Sequence, residues 1–495
     1  MASLIIPLPA ELRPRLPTIV GNVDYLTLRQ RLEQIDSVLR GSGLERQFVE
    51  QALQGWRAPA GRAPSAREQQ KFQGRCRRAL RCNILRTLLQ EDYRGFSCQL
   101  AGNPLYQWFC GIDALDQIQV PSKSELQRYA HWLPASQMRE LINGLLRRAL
   151  DQPQKLRLRE PLDLEEYFLD TTALKANVHF PVDWVLLRDG VRTLMKATTL
   201  IRNQGLKGRM EPPQEFLRRI NRLSLEMTHQ RRAADSRKGR KRVLRQMKKL
   251  VNVVRGHARR HRQLLEAKWP ETPWTRRQAE QVLRRIDQVL ELLPWAQKQA
   301  HERIIGGRLV ENREKILSLY EPEVHVIVRG KAGAEVEFGN TVLMGENRQG
   351  LILDFQIYKE QAPADAHLLV ESLERVQAGL GRMVSGVAAD RGFSNAINNQ
   401  GLIEAGIFNG ICPRQPQQVK ERMQDKKFVS LQRRRSQTEA RIGILKNGFL
   451  GRPMRAKGFA HRELAVVWGV LTHNLWMLAR LRKTQKKPEP LLQAA

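Results

Sequence analysis

A carboxylate inside an apolar strand is the feature that most constrains how this chain can fold. In the segment LEEYFLDTTALKANVHF, residues 164–180, side-chain character alternates with a period of two, which predicts a β-strand. Asp170 lies in the interior of this strand, where an unpaired carboxylate costs roughly several kcal/mol. We therefore expect Asp170 to be paired or bound to a metal. The alternation places Tyr167, Leu169 and Thr171 on one face and Phe168, Asp170 and Thr172 on the other.

A second acid stands where another buried strand ends. The segment MVSGVAAD, residues 383–390, runs small and apolar side chains up to Asp390. Gly392 then permits a tight turn, and Ser394 begins a helix. Taken alone, an Asp-Arg-Gly sequence is most often plain turn chemistry. At the carboxyl end of a strand, however, an open α/β sheet presents its ligand crevice.

The order of the remaining elements predicts an α/β fold with a mixed sheet. After the first strand the chain is helical for about 130 residues, and an antiparallel pair of strands and two strand–helix units follow. If the strand pair forms the far edge, the strand that ends at Asp390 crosses over to lie beside the first strand. That placement brings Asp170 and Asp390 together. The later strands are expected at 324–330, 334–344, 350–358, 383–390 and 406–412, with the hairpin loop GENRQG at 345–350.

A third acid lies on a predicted helix, RRRSQTEARIGILKNGF, residues 433–449. Arg435, Glu439 and Lys446 are four and seven residues apart, so they project from one stripe of the helix. Surface ion pairing explains Arg435 and Glu439 as well. A cation, an acid and a cation in one stripe are also what phosphodiester chemistry at hard divalent ions needs. Asp354, in the strand at 350–358, is a competing acid that is harmless at an edge position.

These segments together resemble the three acidic motifs of bacterial insertion-sequence DDE transposases. The resemblance is carried by LDTTALKANVHFP around Asp170, by GVAADRGFSNAIN around Asp390, and by Arg435 with Glu439 and Lys446. The strand region IVRGKAGAEVEFGNTVLM and the helical residues 79–129 are also similar, so the resemblance covers about 75–480. One departure is Gln432, since a tyrosine often stands three residues before the arginine.

The resemblance implies a ribonuclease H-like mixed sheet with flanking helices, interrupted by an α-helical insertion and preceded by an all-α N-terminal domain. It implies that Asp170, Asp390 and Glu439 are catalytic and bind two Mg²⁺ or Mn²⁺ ions per active site. Arg435 and Lys446 would contact phosphates. The implied activity is cleavage of transposon ends followed by transfer of their 3′-hydroxyls into target DNA. A structure-selective nuclease on the same fold and a catalytically inactive DNA-binding relic are the alternatives.

The charge of the chain predicts a polyanionic partner. It has 84 Lys and Arg against 50 Asp and Glu, a net charge of +34. Residues 201–262 hold twenty of these cations and four acids, and apolar positions from Val243 to Val254 keep helical spacing. A charge run is usually a solvated face, but one this one-sided repels itself unless phosphates neutralise it. The expected phosphate contacts are Lys238, Arg240, Lys241, Arg242, Lys248 and Lys249.

The expected partner is double-stranded DNA, bound by a homodimer or larger assembly because two ends must be joined. Three short helices within 75–150 fit a helix-turn-helix-like reader, or equally a packing domain with a basic face. The predicted organisation is a lead-in segment (1–74), a helical DNA-binding domain (75–150), the first part of the core (160–185), the basic insertion (186–320), the second part of the core (321–482) and a basic tail (483–495).

Several other classes of protein and site are disfavoured. No apolar stretch reaches about 18 uncharged residues and the first twenty residues lack signal-peptide order, so we expect no membrane and a cytoplasmic, nucleoid-associated protein. The five cysteines form no CxxC pair and the histidines no HExxH pair, which disfavours disulfides and zinc. The sequence contains no Walker-type glycine loop, so ATP binding is not indicated.

Overall fold

One mixed sheet organises the structure. The computed structural model describes residues 13, 15–56, 65–112, 117–230, 236–331 and 334–482. Within these ranges the chain is a mostly helical α/β protein. Residues 1–12, 14 and 57–64 of the predicted lead-in lie outside the described residues, and so does the predicted basic tail at 483–495. The strands are β1 (Tyr167–Lys175), β2 (His325–Lys331), β3 (Ala334–Asn347), β4 (Ile352–Ile357), β5 (Gly386–Ala388) and β6 (Phe408–Asn409).

The pairing of the strands confirms the predicted neighbourhood of the two acids. β3 runs antiparallel to β1 from Tyr167 opposite Asn347 to Lys175 opposite Gly339, and its other edge pairs with β2 and β4. β1 pairs in parallel with β5, with Tyr167 opposite Val387, and β5 pairs in parallel with β6. The hairpin strands therefore form one side of the sheet, and the strand before Asp390 lies directly beside β1.

The bounds of the later strands differ from those predicted, and β6 covers only Phe408–Asn409 of the predicted range 406–412. β3 continues to Asn347, because Glu346 still pairs across to Phe168 of β1, and Gly350 at φ +85° closes the shortened turn. β5 ends at Ala388, although the sequence predicted a strand to residue 390. The backbone turns at Asp390, whose side chain caps a 3₁₀ turn over Arg391–Phe393.

The two faces of β1 are covered by different helices. Tyr167 on one face lies with its Oη 2.7 Å from Ser372 Oγ, and Thr172 on the other accepts a hydrogen bond from Lys446 Nζ at 3.1 Å. This confirms the alternation predicted for the strand. The helices of the second part of the core are α12 (Leu369–Leu380), α13 (Ala396–Glu404), α14 (Pro416–Arg422), α15 (Lys426–Leu445) and α16 (Phe459–Arg480). Ser372 belongs to α12, and Lys446 directly follows α15.

The N-terminal helices pack into the same hydrophobic core as the sheet. The expected boundary at residue 75 falls inside a helix, and the described residues before it are not merely a lead-in. Arg81 is fully buried and donates hydrogen bonds to Asp36 at 2.7 Å and to Glu45, so three helices depend on one ion-pair network. The helices are α1 (Val23–Ser42), α2 (Leu44–Gln54), α3 (Ala66–Leu89), α4 (Tyr93–Gly102), α5 (Pro104–Cys110), α6 (Lys123–Ala130) and α7 (Ala135–Asp151).

The segment between β1 and β2 forms a helical unit with its own core. Apolar side chains such as Leu194, Met247 and Leu293 are buried together, apart from the core around the sheet. This helical unit begins at Asp183, slightly before the predicted residue 186. Its helices are α8 (Asp183–Asn203), α9 (Pro213–Gln230), α10 (Ser236–Lys268) and α11 (Arg276–Ala300).

None of the helices in the described residues is both long and apolar enough to cross a bilayer. The five cysteines are free, and Cys76, Cys82 and Cys110 are buried.

Candidate functional site

Asp170 lies in the middle of β1 on the face that α15 covers. The backbone N–H of Thr171 donates to its Oδ1 at 2.8 Å, which holds the carboxylate close to the strand. The neighbouring apolar residues Phe168 and Leu169 are fully buried. Period-two geometry thus carries the carboxylate into a largely buried position beside the next strand.

Asp390 reaches the same edge of the sheet from β5. Because Phe168 lies opposite Ala388 in a parallel pair, the chain brings Asp170 and Asp390 to the same level two residues later. Asp390 Oδ1 accepts the N–H of Gly392 at 2.8 Å. A Cβ at residue 392 would lie 2.9 Å from that oxygen, which is too close for the carboxylate to keep this position, so the site requires glycine here. The glycine is needed for close approach, since its φ is not in the left-handed region.

Helix α15 contributes the third predicted acid. Glu439 and Arg435 line one cavity of about 380 Å³ with Asp170 and Asp390. Lys446, just beyond the end of α15, lines the same cavity. The structure therefore brings together all five residues that the three motifs indicated.

The side chain of Gln432 positions Arg435. Its Nε2 donates to the carbonyl of Gly410 at 2.6 Å and of Ala389 at 3.3 Å, which ties α15 to the ends of β5 and β6. Its Oε1 accepts a hydrogen bond from Arg435 Nε at 3.3 Å. A residue that looked like a departure in the sequence thus orients the guanidinium beside the acids.

Lys446 is engaged by the strand that carries Asp170. Its Nζ donates to Thr172 Oγ1 at 3.1 Å and to the carbonyl of Ala173 at 2.6 Å, and the residue is buried. These bonds fix the segment after α15 to the far half of β1. In this arrangement Lys446 forms part of the cavity wall and supports the strand, while its predicted contact with phosphate stays a prediction.

A fourth acid of the cavity escaped the sequence analysis. Asp365 follows β4 and lines the cavity, where its Oδ1 accepts a hydrogen bond from Thr171 Oγ1 at 3.0 Å. Its Oδ2 would lie 3.0 Å from a Cβ at Gly392, so it is close to Asp390 as well. β4 is parallel to β1, because each is antiparallel to β3. An acid shortly after a strand parallel to β1 was the signal that could have identified it.

The electrostatics of the cavity disfavour several negative charges at once. Burial raises the pKa of Asp170 to about 6, the charge of Asp390 adds to this, and Arg435 opposes it. Burial likewise raises the pKa of Asp365, against the hydrogen bond from Thr171, and Asp390 again contributes. A cation among these oxygens would reverse the effect by stabilising the ionised forms.

The donor chemistry fits a hard divalent ion. Carboxylate oxygens are the ligands that Mg²⁺ and Mn²⁺ favour, and Asp170, Asp365, Asp390 and Glu439 all offer them to one cavity. In the described part of the chain, no three acidic, histidine or cysteine side chains are already arranged as a complete ligand group.

Asp354 is paired away from this cavity. It is 3% exposed and accepts two hydrogen bonds from Arg375, at 2.9 and 2.7 Å, and one from Ser372 at 2.8 Å. Arg375 and Ser372 lie on α12, across the sheet from α15, and Arg139 of α7 lies 3.9 Å from Oδ1 of Asp354. The structure thus accounts for this strand acid as a buried ion pair.

The basic residues of α10 form a separate surface. None of the six predicted phosphate contacts of this helix lines the acidic cavity. Arg242 forms an ion pair with Glu226 at 2.8 Å, and Lys248 Nζ lies 3.0 Å from His301 Nδ1. The exposed members are Lys238, Arg242 and Lys249, and the half-buried ones are Arg240, Lys241 and Lys248.

The chain matches no protein-family model, no curated protein and no solved structure. Its function is therefore inferred from its own residues and their motif-level resemblance.

Proposed function

We propose that this protein is a metal-dependent DNA transposase. The observation that carries the proposal is that Asp170, Asp390 and Glu439, from three distant segments, line one cavity with Arg435. The sequence motifs alone predict these residues as a set. A cavity lined by several carboxylates and a guanidinium suits a reaction at a phosphodiester, because both a divalent ion and the phosphate find partners there.

The proposed core is ribonuclease H-like. In support, the two acid-bearing strands are adjacent, and the antiparallel hairpin lies on the far side of β1. The helical insertion leaves the sheet after β1 and returns at β2 without separating these strands. A long insertion is compatible with an intact core because its two ends join neighbouring regions of the sheet.

Four residues of the cavity have proposed roles. Asp170, Asp390 and Glu439 would hold Mg²⁺ or Mn²⁺, which when bound polarises the phosphate and neutralises developing charge. Arg435, held by Gln432, would contact a phosphate oxygen and orient the phosphodiester beside the acids. The cavity would support hydrolysis at each transposon end and then attack of the freed 3′-hydroxyl on target DNA. Joining two ends requires at least a dimer on DNA.

Replacement of Asp390 by Asn tests the assignment. We expect Asp390→Asn to lower cleavage of the inverted repeats by at least about a hundredfold, since an amide oxygen binds hard cations weakly. End binding in a gel-shift assay should change less than about twofold, because phosphate contacts elsewhere supply the affinity. Asp24→Asn, an exposed change on α1, is the matched control. Undiminished cleavage by Asp390→Asn would refute the proposal.

The products separate transposition from the alternatives. Labelled ends, a target plasmid and Mg²⁺ should give joined DNA with the wild-type protein. A nuclease on the same fold would release cut ends without joining them. An inactive relic would give neither product, with or without the metal.

A further inference from the structure

A second cavity lies next to the acidic one. It encloses about 920 Å³ between the N-terminal helices and the loop at 451–457. Arg452 lines both cavities, so the two are neighbours along one surface. Its side chain is half-exposed, with Nη2 3.5 Å from Glu337 Oε1.

The walls of this second cavity are fixed to the elements that carry the candidate site. Gln90 at the end of α3 donates a hydrogen bond to the carbonyl of Asn447, just beyond α15. The N–H of Met454 donates to the carbonyl of Lys175 at the end of β1, at 3.0 Å. The cavity is therefore a built feature whose position relative to Asp170 is set by the backbone.

Arg86 gives this cavity an incompletely satisfied cation. Its Nη1 donates only to a backbone carbonyl, that of Glu91 at 3.2 Å, and its guanidinium lies 4.4 Å from the centre of the Tyr93 ring. Its Nε is buried without a hydrogen-bond partner among the described residues. The residue is half-buried, and an anionic ligand would supply the hydrogen-bond acceptor that its buried Nε lacks.

The remaining charges of the cavity are predominantly positive. Arg455 and Lys457 line it from an exposed stretch of the loop. Its two acids are engaged locally: Asp92 accepts the N–H groups of the first turn of α4, and Glu91 accepts a hydrogen bond from Gln99 at 2.8 Å. Ligand-sized cavities run to about 1,000 Å³, so this one has room for part of one strand and not for a duplex.

We propose that this second cavity binds the sugar-phosphate backbone of a single DNA strand that continues past Arg452 from the acidic cavity. Arg86, Arg455 and Lys457 provide the phosphate contacts, as expected of grooves that follow single strands. The proposal rests on the proposed function for the identity of the strand, since DNA must occupy the neighbouring cavity.

The test compares binding of duplex ends with and without a single-stranded extension of about eight nucleotides, within the usual site size. The altered protein is Arg455→Glu/Lys457→Glu, and Arg46→Glu/Lys155→Glu carries the same charge change on exposed residues outside both cavities. Affinities are measured by fluorescence anisotropy at several salt concentrations without divalent metal, so the outcome does not depend on cleavage.

The extension should strengthen binding by the wild-type protein and by the control. In the altered protein that gain should disappear, and the dependence of log K on log salt should weaken by about 1.4 for two lost single-strand contacts. The proposal would be overturned if the altered protein lost as much affinity for the blunt duplex as for the extended one. It would also be overturned if a mononucleotide competed as well as the single-stranded extension does.

Photocrosslinking supplies a second measurement that needs no variant. A photoreactive base in the extension should crosslink to peptides that contain residues 86–93 or 451–457. Crosslinks confined to α10 would overturn the proposed strand path. Crosslinks in the cavity of a protein that never cleaves DNA would retain this binding site and refute only the transposase activity.

Discussion

Glu346 offers a test of how the helix with Glu439 is held on the sheet. It is a fully buried residue of β3, and its Oε1 accepts a hydrogen bond from Thr438 Oγ1 of α15 at 3.0 Å. Its Oε2 lies 3.6 Å from Arg441 Nε and has no hydrogen-bond partner in the described structure. We expect Glu346→Gln to keep the bond from Thr438 and to remove the cost of burying an ionised carboxylate.

The magnitude follows from the pKa. Burial raises the pKa of Glu346 from 4.5 to about 7, although Arg441 and the hydrogen bond from Thr438 oppose this. Below pH 4.5 the carboxyl is protonated in both the folded and the unfolded protein, so it adds no pH dependence. Between pH 4.5 and 7 only the unfolded chain ionises, and stability falls by about 3 kcal/mol in total. Glutamine does not ionise and escapes this loss.

Urea denaturation at pH 4 and at pH 8 measures the effect. The free energy of unfolding of Glu346→Gln relative to wild type should rise by about 3 kcal/mol from the acidic to the alkaline condition. Glu374→Gln, an exposed change on α12, should show no such rise. If Glu346→Gln instead loses stability at pH 8, the carboxylate is ionised and paired with Arg441, and the reasoning fails.

Two further predictions concern the buried ion pair and the basic helix. Arg375→Leu leaves the buried Asp354 with only Ser372 and the more distant Arg139, at 3.9 Å, and should lower the free energy of unfolding by up to about 3–5 kcal/mol in urea denaturation, and a loss below about 1 kcal/mol would contradict this. Replacing Lys238, Lys241 and Lys249 of α10 by Gln should weaken the dependence of log K on log salt for duplex ends by about 2.7, and an unchanged slope would remove α10 from the DNA interface.

The centre of the sheet could be predicted because its signals are local or follow from chain order. The period-two alternation assigned Phe168 and Asp170 to one face of β1 and Tyr167 to the other, as the structure shows. The strand adjacency followed from the crossover through a helix, since such connections place the later strand beside the first. Helical spacing then set Arg435 and Glu439 on one stripe of α15.

Other features depend on tertiary contacts that no local pattern encodes. Asp365 stands in a loop, and it becomes part of the cavity only through Thr171 on a strand far away in sequence. Lys446 follows a helical stripe, yet its place in the cavity wall depends on the part of β1 that lies beyond the pairing with β5. The role of α1 and α2 depends on Arg81, which is buried between them. The sequence shows only a run of basic residues in α3, and this run does not indicate that Arg81 is buried.

Two buried acids outside the cavity are closely paired with arginine, unlike Glu346, whose nearest guanidinium nitrogen lies at 3.6 Å. Asp36 lies 2.7 Å from Arg81, and Asp354 lies 2.7 Å from Arg375. Burial alone would raise the pKa of Asp36, but Arg81 and Arg13 hold that pKa below its usual value. The acids of the cavity behave oppositely. The described structure records no ion pair for Asp170, Asp365 or Asp390, and the pKa of Asp170 rises to about 6. A fold that pairs Asp36 and Asp354 with arginine yet gathers these three acids in a solvent-accessible cavity retains them at a cost in stability, which is typical of a functional site.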